Sequence, residues 1–449
     1  MRCNLLVSVA VLALIVTVPA AAQSLSPQPS KAPVTFTKDV APILQNRCQI
    51  CHRPDTFAPM SLLTYEEVRP WARSMKAKVV AREMPPWFID KNTGVQHFSN
   101  DRSLTDQEIE TIAKWVDTGA EKGNPADMPP PRTFPDEKQW QFGEAGEPDV
   151  VVQLPNDYVM PATGPDRWPN ILVDPRLTED RYIKAAQIVP TKGYPVIHHI
   201  RTSLVAPEDD SIHSGQFQPN GPASLEEMGI FLNEYAIGKG ADVFREGSGR
   251  LIKAGTKVNV SLHLHSTGKE TLMNIALGLK LYPKGYKPKN VIVSDTPKYP
   301  EIDIRPRTAE VRIDGFRLLT KPTRLISYQP HMHNRGKYAC IEAILPTTPA
   351  TFETLTCARF FFNWHLNYVY AEDSAPLLPA GTMLRTIQIY DNSAASRFNP
   401  DPDAQVTFGN RTIDEMAGPW ISFYEMSEEQ FKQEVAERAA RKHQIESSR

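Results

Sequence analysis

Proline sets the first limit on the fold. The chain carries 40 prolines in 449 residues. Each one fixes φ and removes a backbone donor, which argues against long helices and helical bundles. Short strands joined by many loops suit such a chain better. Glycine adds only 23 residues, so Pro plus Gly stays well short of the roughly 25–30% that marks low complexity. Hydrophobic residues at 41% and charged residues at 23% match a globular chain that buries a core. The length suits roughly two to four domains. Lys and Arg number 50 against 52 Asp and Glu, so no basic excess exists to follow a phosphate backbone. Nucleic acid is therefore not an expected partner.

Arg2 is followed by an apolar run from Leu5 to Val18 and then by Pro19-Ala20-Ala21-Ala22-Gln23. This reads as a signal peptide over residues 1–22, cleaved near Ala22/Gln23, with Ala20 and Ala22 as the small residues. The run is short for a bilayer span, and no other window is apolar enough. The expectation is a periplasmic or secreted protein without a membrane span after cleavage, in an oxidising space.

Export changes the meaning of the cysteines. Cys3 leaves with the signal, and Cys48, Cys51, Cys340 and Cys357 remain. Cys48-Gln49-Ile50-Cys51-His52 is a c-type haem attachment motif: two thiols spaced to add to the haem vinyls, then an imidazole for iron. A zinc half-site or redox pair is the competing reading. A sixth ligand is expected from Met84, held by Met84-Pro85-Pro86-Trp87, with Met60 as the rival and core filling as the plain role for either. Short helices are expected over Phe36–Arg47, from the capping box Thr64-Tyr65-Glu66-Glu67 to about Arg82, and from the box Thr105-Asp106-Gln107-Glu108 to Gly119. The stretch resembles cytochrome c domains of bacterial exported proteins, where MPPW recurs after CxxCH. Cys340 and Cys357 lie symmetrically about the turn Leu345–Ala350, so a disulfide across a hairpin is the default, with free buried thiols as the alternative.

Residues 129–146 read as a stiff Pro-rich linker that few contacts should cross. Beyond it the patterns are those of strands: 149–154, 182–189, 196–205, 258–265, 274–282, 309–318, 324–329, 338–345, 355–362 and 383–390. Three histidine groups sit at strand ends: His198-His199, His263-Leu264-His265 and His331-Met332-His333. Residues i and i+2 share a strand face, so His331 and His333 can grip one ion. An adjacent His-His pair needs a bend to do so. Imidazoles with a thioether and no thiolate suit copper that changes oxidation state.

On these motifs, residues 147–426 resemble the copper type II, ascorbate-dependent monooxygenases: the peptidylglycine alpha-hydroxylating and dopamine beta-monooxygenases and their bacterial relatives. The resemblance implies two jelly-roll domains, here 147–288 and 289–426, each holding one copper across a solvent-filled cleft. It implies His198, His199 and His265 at an electron-transfer copper. It implies His331, His333 and Met416, from Thr412-Ile413-Asp414-Glu415-Met416, as the catalytic oxygen-binding set. Tyr390-Asp391-Asn392-Ser393 and Asn399-Pro400 resemble the stretch before that Met. Peptide-hydroxylating members grip a carboxylate with an Arg, an Asn and a Tyr; here those positions are Gln329, Gly418 and Trp420. His263, His213, His97 and His365 match no family ligand, and a hydrogen-bonded strand role is preferred for His263.

The expected fold class is therefore a small α-helical cytochrome c domain (33–128) followed by two β-sandwich (jelly-roll) domains and a charged helical tail (427–449). The expected cofactors are one covalent haem c and two coppers, with ascorbate as a possible reductant. The expected partners are O2, a small organic substrate and a periplasmic electron donor. The implied activity is C–H hydroxylation. The alternatives are a non-catalytic haem and copper electron carrier, or a copper-binding module that has lost catalysis.

Overall fold

A computed structural model describes residues 33–447 except 55, 57, 59, 135, 137, 207–214, 219–228, 237–238 and 410. The expected signal segment and His213 lie outside the described residues. Among the described residues no helix is long and apolar enough to cross a membrane.

The N-terminal region forms short helices at Ala41–Arg47, Tyr65–Val68, Ala72–Val80 and Asp106–Asp117. Both capping boxes form: Thr64 and Thr105 accept from the backbone of Glu67 and Glu108, whose carboxylates reach back to the cap amides. Ile112, Trp115, Val68 and Leu44 bury against Phe36 and Val40 in a small core.

The β-rich remainder contains three large sheets. A four-stranded sheet runs Asn170–Val173, Lys257–Leu264, Ile197–Val205, Ile230–Ala236. A five-stranded sheet runs Ile89–Gly94, Thr351–Arg359, Gly336–Leu345, Met383–Tyr390, Val311–Leu318. An eleven-stranded sheet extends through both halves of the chain. One core joins the four-stranded sheet to the N-terminal part of the large sheet, through Ile200, Val260, Ile188 and Leu277. A second joins the five-stranded sheet to its C-terminal part, through Ile341, Leu355, Leu325 and Phe423. Cys340 and Cys357 are directly paired across adjacent strands and are joined by a disulfide.

The expected fold class is overturned. Among the described residues no sheet closes on itself as a jelly-roll would, and the N-terminal helices are too few and short for a cytochrome c bundle. The architecture is mixed α/β with large sheets. The physical reason is a seam. Ser248–Ile252 pairs in parallel with Asn290–Asp295, which fuses the two β-rich halves into one sheet. Neither strand announces itself by its apolar pattern. In Asn290–Asp295 the polar Asn290 and Ser294 face inward, while Val291 and Val293 face outward.

The N-terminal region is not set apart by its Pro-rich segment either. Ile89–Gly94 pairs with Thr351–Arg359, and Trp87 and Phe98 pack against Tyr368 in the C-terminal core. The segment itself folds back: Gln45 Nε2 donates to Pro130 O at 3.1 Å, and Arg132 Nη1 to Asn46 Oδ1 at 2.7 Å. Gly278 leaves room for the Trp140 ring, which a Cβ there would meet at 2.7 Å. Trp87→Ala should therefore destabilise the whole protein by about 3–5 kcal/mol. Phe352→Ala, 62% exposed on the neighbouring strand, should change stability by less than about 0.5 kcal/mol. Denaturant titration checks both; equal effects would mean that the wedge is not part of that core.

Candidate functional site

The first half of the site is a cavity of about 360 Å³ in the N-terminal region. Helix Ala41–Arg47 ends at Cys48, whose N–H donates to Leu44 O at 2.9 Å, and His52 N–H donates to Cys48 O at 2.9 Å. This tight turn presents Cys48, Cys51 and His52 to the cavity, whose walls include Leu44, Leu62, Trp71 and Val79. Cys48 and Cys51 are not disulfide-bonded. Burial pushes the Cys48 thiol up to about 12 and lowers the His52 pKa. His52 Nδ1 lies 3.3 Å from Met60 O, a contact that places the proton on Nδ1 and leaves Nε2 unprotonated in the neutral ring. Met84 and Met60 both line the cavity. Trp364, from the C-terminal half, lines it as well.

The second half is a histidine cluster where the sheets meet. His198 and His199 open strand Ile197–Val205. His263 is paired with His199, but Leu264 is paired with Ile197, so His198 is an extra residue at a bulge. The bulge supplies the bend that the adjacent pair needs. It brings His198 Nδ1 within 3.0 Å of His199 Nδ1. Ligand atoms of His198, His199 and His263 all lie within 4.8 Å of one another. His263 Nε2 is held by Asp166 Oδ2 at 2.8 Å, so its Nδ1 is the atom left for a metal, in a carboxylate–histidine–metal arrangement. Sequence reasoning places His265 in this set, and for His263 it prefers a hydrogen-bonded strand role over joining or tuning the site. The strand ends at Leu264, so the i, i+2 rule no longer directs His265.

His331 and His333 follow strand Thr323–Gln329. The buried Glu415 carboxylate accepts N–H groups from His333 and Arg335, each at 2.7 Å. His333 Nδ1 lies 3.0 Å from Asp414 O. Arg335 donates to Ile413 O at 2.8 Å and to Asn392 Oδ1 at 2.7 Å, and Tyr390 donates to Met416 O at 2.6 Å. The segment carrying Met416 is thus clamped beside the His331–His333 turn. Trp420 packs on His331 at 4.4 Å between ring centroids, and Gln329 donates to the buried Glu234. The carboxylate-gripping positions are therefore occupied by other contacts.

The two histidine sets do not face each other across a solvent-filled cleft. His365 stands between them, 4.1 Å from His199 and 5.2 Å from His331 between ring centroids. The rings form one packed chain from His263 to His333. Sequence reasoning gives His365 no part because it is a lone histidine in a loop, marked only by Asn363-Trp364-His365 after three phenylalanines, Phe360 to Phe362. His97 is exposed and pairs with Asp373 at 3.0 Å, away from the cluster.

No family model and no curated protein matches this chain. Among solved structures, a chain from "Structure of infectious bursal disease virus Gx strain" is similar at 8% identity with a TM-score of 0.14. The match covers 66% of this chain and 75% of that one. A likeness at that level carries no inference about fold or function.

Burial keeps these imidazoles neutral, the form that binds metal. It lowers His198 to about 2 and His333 to about 4, and His199, His263 and His331 also move down. Below about pH 6.5 the unfolded chain binds protons there that the folded chain refuses. Glu415 acts oppositely: burial raises it to about 8, so its contribution is full below about 4.5 and is lost as pH rises toward 8. With five imidazoles against one carboxyl, the melting temperature of metal-free protein should fall between pH 6.5 and 4.5. A flat or rising midpoint over that window would contradict neutral burial.

Proposed function

We propose that the protein is an exported oxidoreductase that uses haem c and copper to hydroxylate a C–H bond of a small organic substrate with O2. The observation that carries this reading is the Trp364–His365 pair. Trp364 lines the cavity of Cys48, Cys51 and His52, and the next residue packs on His199. A covalent step of one residue thus connects the two redox-capable sites.

The donor sets fit these groups. Two thiols, an imidazole with a fixed tautomer, two thioethers and apolar walls suit haem c. Buried neutral imidazoles and the Met416 thioether, without a thiolate, suit copper. When bound, haem and copper supply one-electron storage and O2 chemistry. The chain's own part is positioning. Asp166 fixes His263, the Asp414 carbonyl fixes His333, and Glu415 holds the backbone of the His331–Arg335 turn. A cavity of about 300 Å³ reaches His365, with Asn100, Asn367 and Ser327 among its lining residues. It offers hydrogen bonds to a small polar substrate. A glycine-extended peptide is a poor candidate, since Gln329, Gly418 and Trp420 replace the carboxylate grip.

Two experiments test the reading. In oxidised, haem-loaded protein, Met84→Ala should abolish the sulfur-to-iron charge-transfer band while Met60→Ala leaves it; the reverse would reassign the ligand. A screen under isotopically labelled O2 with ascorbate should place the label in an organic product. Met416→Ile should cut that yield by orders of magnitude at a stability cost under about 1.5 kcal/mol, with haem spectra unchanged. Oxidation of the donor without labelled product would instead support the electron-carrier alternative.

A further inference from the structure

We infer that Glu234, His365 and His199 form a further metal site, adjoining the His198–His199–His263 set through the shared His199. Its ion is a divalent cation of intermediate hardness, in the class of zinc(II) and iron(II). The inference rests on geometry and goes beyond the copper reading. Ligand atoms of the three residues all lie within 4.8 Å of one another. They come from separate parts of the fold: His199 and Glu234 from neighbouring strands of the four-stranded sheet, and His365 from the loop after strand Thr351–Arg359.

Glu234 and His365 are both buried, at 2% and 5% exposure. Among the described residues, Glu234 Oε1 and both ring nitrogens of His365 lack any hydrogen-bond partner. A buried carboxylate oxygen and two buried ring nitrogens left unsatisfied are costly. His365 Nδ1 stands 3.5 Å from Glu234 Oε1, yet the two do not hydrogen-bond. Two donors bound at about 2.1 Å to one tetrahedral ion stand roughly 3.4 Å apart, so the spacing suits a shared ion. Gln329 Nε2 donates to the other carboxylate oxygen, which orients the side chain and leaves Oε1 toward His365. This is a supporting contact of the kind that metal-ligating carboxylates require.

Arg201 is the cross-strand partner of Glu234. Its guanidinium lies over the Trp420 and Phe231 rings at 5.5 and 5.9 Å, and among the described residues its Nε and Nη1 atoms have no hydrogen-bond partner. Two imidazoles and one carboxylate form a set typical of zinc(II) and iron(II). A carboxylate disfavours copper(I), which separates this trio from the thioether-containing set. Three protein ligands leave a coordination position open, and His365 also lines the cavity of about 300 Å³.

The test uses the full, metal-stripped chain titrated with cobalt(II) and zinc(II), without copper or ascorbate, so a failed hydroxylation assay has no bearing on it. The His263→Gln chain should retain a four-coordinate cobalt(II) spectrum. Adding Glu234→Gln or His365→Gln to that chain should weaken cobalt(II) binding at least 100-fold, and adding Gln329→Ala should weaken it roughly 10–100-fold. Unchanged affinity in both ligand variants would overturn the proposal. Should a variant fail to fold, X-ray absorption of the zinc-loaded His263→Gln chain decides. Two imidazoles with a carboxylate oxygen support the site, and an imidazole-only shell overturns it.

Discussion

The Arg250 side chain lies across the seam between the two β-rich halves, and the placement of the rest depends on it. Nη2 donates to Ser294 Oγ and Nη1 to Phe231 O, each at 2.7 Å. Ser294 Oγ continues to Ser422 Oγ at 2.7 Å, and Asn290 Nδ2 reaches Ser248 Oγ at 3.3 Å. Burial lowers the Arg250 pKa only to about 10, so the group stays charged at neutral pH. Each bond to it is worth more than a neutral one, about 1.5–3 kcal/mol. Polar groups that point into the seam find partners only if the two halves meet in this register. The network thereby sets where strand Trp420–Glu425 runs, and through Trp420 where His331 lies against the His199 side.

The C-terminal helix Glu428–Ser447 reinforces the arrangement. Its Glu434 pairs with the buried Arg324 at 2.8 Å, and Gln430 donates to Asn290 Oδ1 at 2.9 Å. A segment that reads as a charged tail with little to bury is thus tied to the seam by polar contacts. At the other end, Trp87, Phe98 and strand Ile89–Gly94 insert into the C-terminal core. That insertion brings the cavity of Cys48, Cys51 and His52 against Trp364.

Local rules made much of the chain legible. Both capping boxes, the helix before Cys48, the cysteine pair across the hairpin and most of the long strands follow from short-range pattern. Ile89–Gly94, Asn170–Val173 and Ile230–Ala236 lie outside the expected strands, and so do the three that fuse the sheets, Ser248–Ile252, Asn290–Asp295 and Trp420–Glu425. The last three carry buried Ser, Arg or Asn, or apolar residues on both faces, so period-two alternation does not mark them. The same limit explains the site. His198, His199, His331 and His333 were visible as strand-end doublets, whereas His365 and Glu234 are single residues whose partners are distant in sequence.

By itself, then, the sequence determined the local chemistry: the thiol and imidazole spacing at Cys48–His52, the histidine doublets, the caps and the many short strands. These depend on neighbours within a few residues. Tertiary structure alone decided that the sheets are shared rather than closed, that His263 converges with His198 and His199, and that His365 links two histidine sets into one cluster. Those outcomes depend on a bulge at His198, a buried arginine across a parallel strand pair, and polar groups satisfied only by partners far along the chain.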